Sequence, residues 1–170
     1  MSHYILAICF DSGDTIIDEA TEIKNEAGVT QKVDLIPGAV EMLHELNRRG
    51  YKLALVSDGP GGKENNSLWH HGLWDLFDVH AMSGDIGVSK PKPGIFQHVL
   101  DKLEISPDDY HRVMMVGNHL TRDVKGANQL GLMSVWIDWS PRRSKIPADD
   151  LEVPQYTIKA PEELVPLIER

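Results

Sequence analysis

Short apolar runs separated by longer mixed segments set the pattern of this chain. Ile5 to Phe10, Leu53 to Val56, Val79 to Met82, Val113 to Val116 and Met133 to Ile137 are strand candidates. Several are continuous rather than alternating, which is the pattern of strands covered on both faces. Between them the apolar spacing becomes helical. Pro37 to Arg49 sets Val40, Leu43 and Leu46 on one face, opens with a proline that a first turn tolerates, and stops at Gly50. Ile95, Phe96, Val99, Leu100 and Leu103 form a second stripe after Pro93. Thr121 to Leu130 aligns Val124, Ala127 and Leu130 before Gly131, and Pro161 to Glu169 gives a terminal helix. Strands alternating with helices predict right-handed crossovers and a doubly wound, Rossmann-like α/β fold: a parallel sheet of about five strands with helices on both faces.

Two segments break the pattern. Ile16 to Ile36 is polar and mixed, long enough for a flap and too short for a second folded domain. Trp139 to Asp150 contains Pro141, Arg142, Arg143, Lys145 and Pro147 and reads as a loop leaving the last strand. Residues 1–170 therefore predict a single domain without a separate cap.

Polar residues gather where the apolar runs stop: Asp11-Ser12-Gly13-Asp14-Thr15, then Ser57, then Lys90, then Gly117-Asn118 with Asp123. Open α/β sheets bind ligands at the carboxyl ends of their strands, so these stations converge. An Asp at the end of a central strand, followed by a tight glycine turn, is suited to act as a nucleophilic carboxylate that accepts a phosphoryl group. Such chemistry needs positioning and charge neutralisation above all. Ser57, with the backbone amides of Asp58 and Gly59, is placed to hydrogen-bond a phosphate oxygen, and Lys90 to pair with both Asp11 and the phosphate. Asn118 and Asp123 add oxygen donors of the kind Mg²⁺ accepts. Each residue also has a plain alternative role. Asp11 and Ser57 are good turn or cap residues, Lys90 an ordinary surface lysine, Asp123 a helix cap, and Asn118 a residue that tolerates a left-handed turn.

Composition narrows the function classes. Hydrophobic content of 41% and charged content of 25% are ordinary globular values. No apolar run approaches the ~20 residues that span a bilayer, and the first run is too short for a secretory signal, so a cytoplasmic protein with no membrane partner is expected. The single cysteine, Cys9, excludes an internal disulfide and a multi-thiolate zinc site and reads as a buried strand residue. A net charge of −9 argues against general nucleic-acid binding and makes a local cation necessary wherever phosphate is handled. The eight histidines read as structural or solvated and the four tryptophans as core or rim; Arg142, Arg143 and Lys145, following the last strand, read as a solvated basic loop first and as contacts to an anionic substrate second.

The stretches CFDSGDT, LALVSDG, SKPKPGIF and VMMVGNHLTRDVKGA resemble, in order, the four motifs of the haloacid dehalogenase-like hydrolase superfamily. The similarity runs from about Ile5 to Asp138 and is strongest to members whose third motif is Lys-Pro-x-Pro-x-x-Phe, here Lys90 to Phe96. It implies a Mg²⁺-dependent phosphatase that works through an aspartyl-phosphate on Asp11. By the same resemblance Ser57, the Asp58 backbone and Lys90 hold the phosphate, Lys90 also serving the chemistry. Asp11, the carbonyl of Gly13, Asn118 and Asp123 hold the metal.

Two departures from the family pattern matter. The second residue after the nucleophile is normally an Asp that moves protons, and here it is Gly13, so slow turnover is expected; Asp14, one position on, should project elsewhere. Asn118 replaces a metal-binding Asp, which an amide oxygen matches with less charge. The gaps between motifs leave no room for an inserted cap. By family analogy an open site accepts a phosphorylated macromolecule or is closed by homo-oligomerisation, with phosphorylated small molecules as the other substrate class. Two further readings fit the same residues: a phosphate-binding regulatory module that lost turnover, and a metal-free dehalogenase-like hydrolase in which Asp11 attacks carbon.

Overall fold

The computed structural model describes residues 4–170. Its strands are β1 (Ala7–Phe10), β2 (Ile17–Lys24), β3 (Thr30–Leu35), β4 (Lys52–Ser57), β5 (Val79–Met82), β6 (Val113–Gly117), β7 (Met133–Ile137) and β8 (Tyr156–Ile158). Six of them form one sheet in the order β5-β4-β1-β6-β7-β8, with every neighbouring pair parallel. The five apolar runs all become strands of this sheet, and a sixth joins them. β8 is only three residues long and buries only Ile158, too little to carry a pattern in the sequence. It forms because the far edge of β7 offers Val135, Trp136 and Ile137 for pairing.

Successive strand residues point to opposite faces, and the core divides accordingly. Ile8, Phe10, Leu53, Leu55, Met114 and Val116 pack in one layer with Leu43 and Leu46 of α1 (Ala39–Arg48). Ala7, Cys9, Ala54, Val56, Val113 and Met115 pack in the other with Ile95, Phe96 and Val99. Both layers are needed to cover a parallel sheet, which explains why the runs do not alternate. Burial pushes the Cys9 thiol up to about 12.

Short helices α2 (Ser67–His70) and α3 (Ser83–Ile86) flank β5, and α4 (Pro93–Lys102) has its proline at the permitted first position. The helix expected from Thr121 begins instead as a π turn over Leu120–Val124, where the N–H groups of Asp123 and Val124 both bond to the His119 carbonyl, and continues as α5 (Lys125–Leu130). A β-carbon added to Gly126 of α5 would lie 2.4 Å from the Phe96 ring, so the contact between α4 and α5 depends on that glycine. The terminal helix is likewise divided, into a 3₁₀ turn over Pro161–Glu163 and α6 (Leu164–Ile168), which joins the α1 layer.

Between β1 and α1 the polar segment folds as an antiparallel hairpin of β2 and β3. Its turn is built on Asn25, whose Oδ1 accepts the N–H groups of Ala27 (2.9 Å) and Val29 (3.0 Å). His71 bonds the Val33 carbonyl at 2.8 Å and ties the hairpin to the segment after α2. No helix among the described residues is long and apolar enough to cross a membrane.

Candidate active site

β1 lies between β4 and β6, where the order of connections reverses, and its pairing runs one residue past the strand: the Asp11 N–H donates to the Val116 carbonyl at 3.0 Å. The next carbonyl, Ser12, accepts the N–H groups of Thr15, Ile16 and Ile17 at 3.3, 2.8 and 3.1 Å. This turn holds Asp14 at φ 54°, a conformation Asp tolerates better than most residues, and sends the chain into the hairpin.

Lys90 reaches the same edge from the loop before α4. Its ammonium donates to Asp11 Oδ1 at 2.8 Å, to Asp123 Oδ1 at 2.7 Å and to the Val56 carbonyl at 2.9 Å, using all three protons. The side chain is 1% exposed. Burial alone would pull the ammonium down; the charges and hydrogen bonds of Asp11 and Asp123 outweigh it and raise the group. Asp123 is raised, first by burial and then by the Asp11 charge, with Lys90 opposing. Gly117 makes room for it, since a β-carbon there would sit 2.2 Å from the Asp123 carboxyl carbon. Asp123 Oδ2 accepts the His119 N–H at 3.0 Å, so both its oxygens meet protein donors and it is placed to hold Lys90.

Asp58 does related work. Its Oδ1 accepts the Lys90 N–H at 3.0 Å, and Arg122 approaches its Oδ2 at 3.8 Å. Ser57, half-buried at the end of β4, faces an open cleft together with Ser12, Gly13 and Asp58. The cleft measures about 550 Å³ including its mouth. The Gly59 amide, expected to face a phosphate, instead donates to Ser83 Oγ at 3.0 Å.

Asn118 occupies the point where the two departures meet. With its amide nitrogen turned inward it donates to Asp11 Oδ2 at 2.7 Å and to the Gly13 carbonyl at 2.9 Å, and its oxygen accepts Arg143 Nε at 2.8 Å. Turned the other way, its oxygen joins two others at those separations, which only a cation could hold together. Trp136 Nε1 fixes the Asn118 carbonyl at 3.1 Å. His119, beside it, is pulled down to about 4, by burial first and by Arg143, Arg122 and Lys90 against the pull of Asp11.

The basic loop after β7 is not simply solvated. Arg142 holds the fully buried Asp14 through both oxygens, at 2.7 and 2.6 Å, and Arg143 lies 3.3 Å from the same carboxylate while also pairing with Glu19. Asp14 Oδ1 further accepts the Glu19 N–H at 3.0 Å. Asp14 is thus committed to anchoring the hairpin and the loop. Lys145 alone of the basic trio points away, to Asp138 at 2.8 Å. Glu19 escapes a motif reading because it belongs to no motif. The two arginines are visible from their place after β7, but they meet Asp14 and Glu19 where solvent or an anionic substrate is expected.

The comparisons with known proteins agree with this architecture. Residues 6–137 match the family model described as haloacid dehalogenase-like hydrolase. The chain is 31% identical over 132 residues to the glyceraldehyde 3-phosphate phosphatase of Methanopyrus kandleri, covering 78% of this chain and 55% of that protein. It is 33% identical over 108 residues to the phosphoserine phosphatase of Thermus thermophilus, covering 64% and 42%. The chain thus spans about half the length of the curated relatives it matches. Among solved structures, a HAD phosphatase from Thermococcus onnurineus superposes with a TM-score of 0.78 at 23% identity, covering 96% of this chain and 98% of that one. The magnesium-bound putative HAD-hydrolase YfnB from Bacillus subtilis gives 0.77 at 20%, covering 98% and 99%. With its four motifs gathered at one sheet edge and the family model spanning most of its length, the chain belongs to the haloacid dehalogenase-like hydrolase family.

Proposed function

We propose that this chain is a phosphomonoesterase that transfers the phosphoryl group of its substrate first to Asp11 and then to water. The observation that carries this reading is the buried ammonium of Lys90 held between Asp11 and Asp123 beside an open polar cleft. An ammonium fixed there neutralises Asp11 as a dianionic phosphate approaches, and the Ser57 hydroxyl stands at the neighbouring strand end to receive a phosphate oxygen. Asp123 and Asp58 act through Lys90 by fixing its head and its backbone. Names of relatives as phosphatases support the same reaction class.

The residues fit Mg²⁺ once the Asn118 oxygen turns inward. Asp11 Oδ2, the Gly13 carbonyl and Asn118 would hold it, their oxygens standing 2.7 and 2.9 Å from the inward position of the Asn118 amide, whereas Asp123, expected among the ligands, has both oxygens engaged by Lys90 and the His119 N–H. Among the described residues no cluster of three or more His, Cys, Asp or Glu side chains is arranged for a metal, so carbonyl and amide oxygens have to complete the set. When bound, the ion supplies positive charge against the repulsion between carboxylate and phosphate.

The hairpin is the cover we assign to this site, and it leaves the cleft open toward small phosphorylated metabolites and exposed phosphorylated side chains alike. Asp11→Asn is expected to abolish phosphate release and labelling of the protein by acetyl phosphate while the circular dichroism spectrum stays unchanged. Phosphate release surviving at more than a few percent would remove Asp11 from the role of nucleophile. A screen of phosphorylated metabolites and phosphopeptides would then choose the substrate class.

A further inference from the structure

Gly13 has no side chain, yet the space beside it is not empty. A β-carbon built on Gly13 would lie 1.6 Å from Glu19 Oε1 and 2.5 Å from its carboxyl carbon. A carboxylate from the hairpin therefore fills the volume from which a side chain at position 13 is missing. Its placement is over-determined: the Glu19 N–H bonds to Asp14 Oδ1 at 3.0 Å, and Glu19 Oε2 is paired with Arg143. That leaves Oε1 toward Gly13, on the wall of the same cleft as Ser12 and Ser57. Asp14 is committed to Arg142 through both oxygens and is fully buried.

We propose that Glu19 is the proton-transfer residue of this site, delivered by the hairpin rather than by the nucleophile turn; the proposal rests on the phosphatase reading. In the first half-reaction Asp11 attacks phosphorus and the bond from phosphorus to the ester oxygen breaks. Its electron pair stays on that oxygen, which takes a proton that Glu19 relays from solvent and leaves as the alcohol. Glu19 returns to the carboxylate form that Arg143 holds. In the second half-reaction water attacks phosphorus and gives its proton to Glu19. The bond to Asp11 breaks with its electrons returning to the carboxylate, and phosphate departs. Glu19 passes that proton back to solvent, so ester and water have become alcohol and phosphate and the carboxylate is again paired with Arg143.

The test compares the wild-type protein with Glu19→Ala and the isosteric Glu19→Gln on alkyl phosphates, which have poor leaving groups, and on acetyl phosphate, which has a good one. Proton transfer is worth roughly 10²-fold to 10⁴-fold per step, and a loss in that range is expected for the alkyl esters. Acetyl phosphate should still load Asp11 within a few-fold of the wild-type rate, and the phosphoenzyme should accumulate because its hydrolysis lacks a base. Formate should speed that hydrolysis in Glu19→Ala, where the vacated volume admits a small carboxylate, and not in Glu19→Gln. Equal losses for both leaving groups, or no loss, would overturn the role.

A second comparison controls for folding. Gly13→Asp alone should lose activity because its side chain overlaps Glu19, whereas Gly13→Asp combined with Glu19→Ala should regain alkyl phosphatase activity by returning a carboxyl group to the same space. A double variant no better than Glu19→Ala would count against Glu19. If the wild-type protein neither hydrolyses esters nor forms a phosphoenzyme, the phosphatase reading itself fails. If it does both and Glu19→Gln matches it, only the proposal about Glu19 fails.

Discussion

Asn118 is a neutral residue asked to serve two neighbours. Arg143 draws its oxygen outward at 2.8 Å, and a cation would draw the same oxygen inward toward Asp11 and Gly13. The amide cannot satisfy both at once, so the guanidinium and the ion compete through it. Asn118→Asp ends the competition, since a carboxylate offers one oxygen to each. The midpoint of thermal unfolding of Asn118→Asp should rise with Mg²⁺ at concentrations several-fold lower than those the wild type needs, because binding to the native state alone stabilises it. An unchanged midpoint curve would place Asn118 outside the cation site. The sequence displays Asn118 plainly, within a recognisable motif. It gives no sign of the Arg143 contact, because that partner lies in a loop with no motif of its own.

Elements were legible where the physics is local. β1, β6 and β7 are apolar runs that need cover on both faces and stop where a polar residue or glycine begins, and α4 begins at a proline and follows a helical stripe. β8 and the π turn at Leu120–Val124 were not legible. One depends on an edge offered by β7, and the other on the fit of Asp123 beneath Gly117. Packing also overrules propensity within α5. Alanine is worth up to about 1 kcal/mol over glycine in a helix interior, yet a β-carbon at position 126 would press on the Phe96 ring at 2.4 Å. Overpacking of that kind costs about 1–3 kcal/mol. Gly126→Ala should therefore destabilise the protein by about 1 kcal/mol despite its better propensity, seen as a lower urea midpoint at unchanged slope. A midpoint at or above that of the wild type would show that Phe96 moves aside freely.

Across the whole molecule, the hairpin near the start of the chain is fastened by a loop near its end: Arg142 and Asp14 are 128 residues apart in sequence. Arg142 is 39% exposed while Asp14 is fully buried, so the pair lies between a surface ion pair, worth about 0–1 kcal/mol, and a buried one whose breaking costs about 3–5 kcal/mol. Replacing both Arg142 and Arg143 with alanine should cost about 2 kcal/mol. Hydrogen exchange gives the sharper readout. The amides of β2 and β3 should lose protection while the ladders between β1, β4 and β6 keep theirs. Uniform loss across both would mean that the arginines support the sheet rather than the cover.

The contacts that join Gly13 to Glu19, Glu19 to Arg143 and Arg143 to Asn118 also bear on how such a site is inherited. A side chain at position 13 must displace Glu19. Displacing Glu19 releases Arg143, and a free Arg143 no longer dictates which way Asn118 turns. Selection therefore meets these four positions as one unit. Single exchanges pass through a crowded or unpaired intermediate, whereas joint exchanges do not. In proteins that share this hairpin and loop, Gly13, Glu19, Asn118 and Arg143 should accordingly be kept together or replaced together, and a lineage that regains an acidic residue at position 13 should already have shortened the one at position 19.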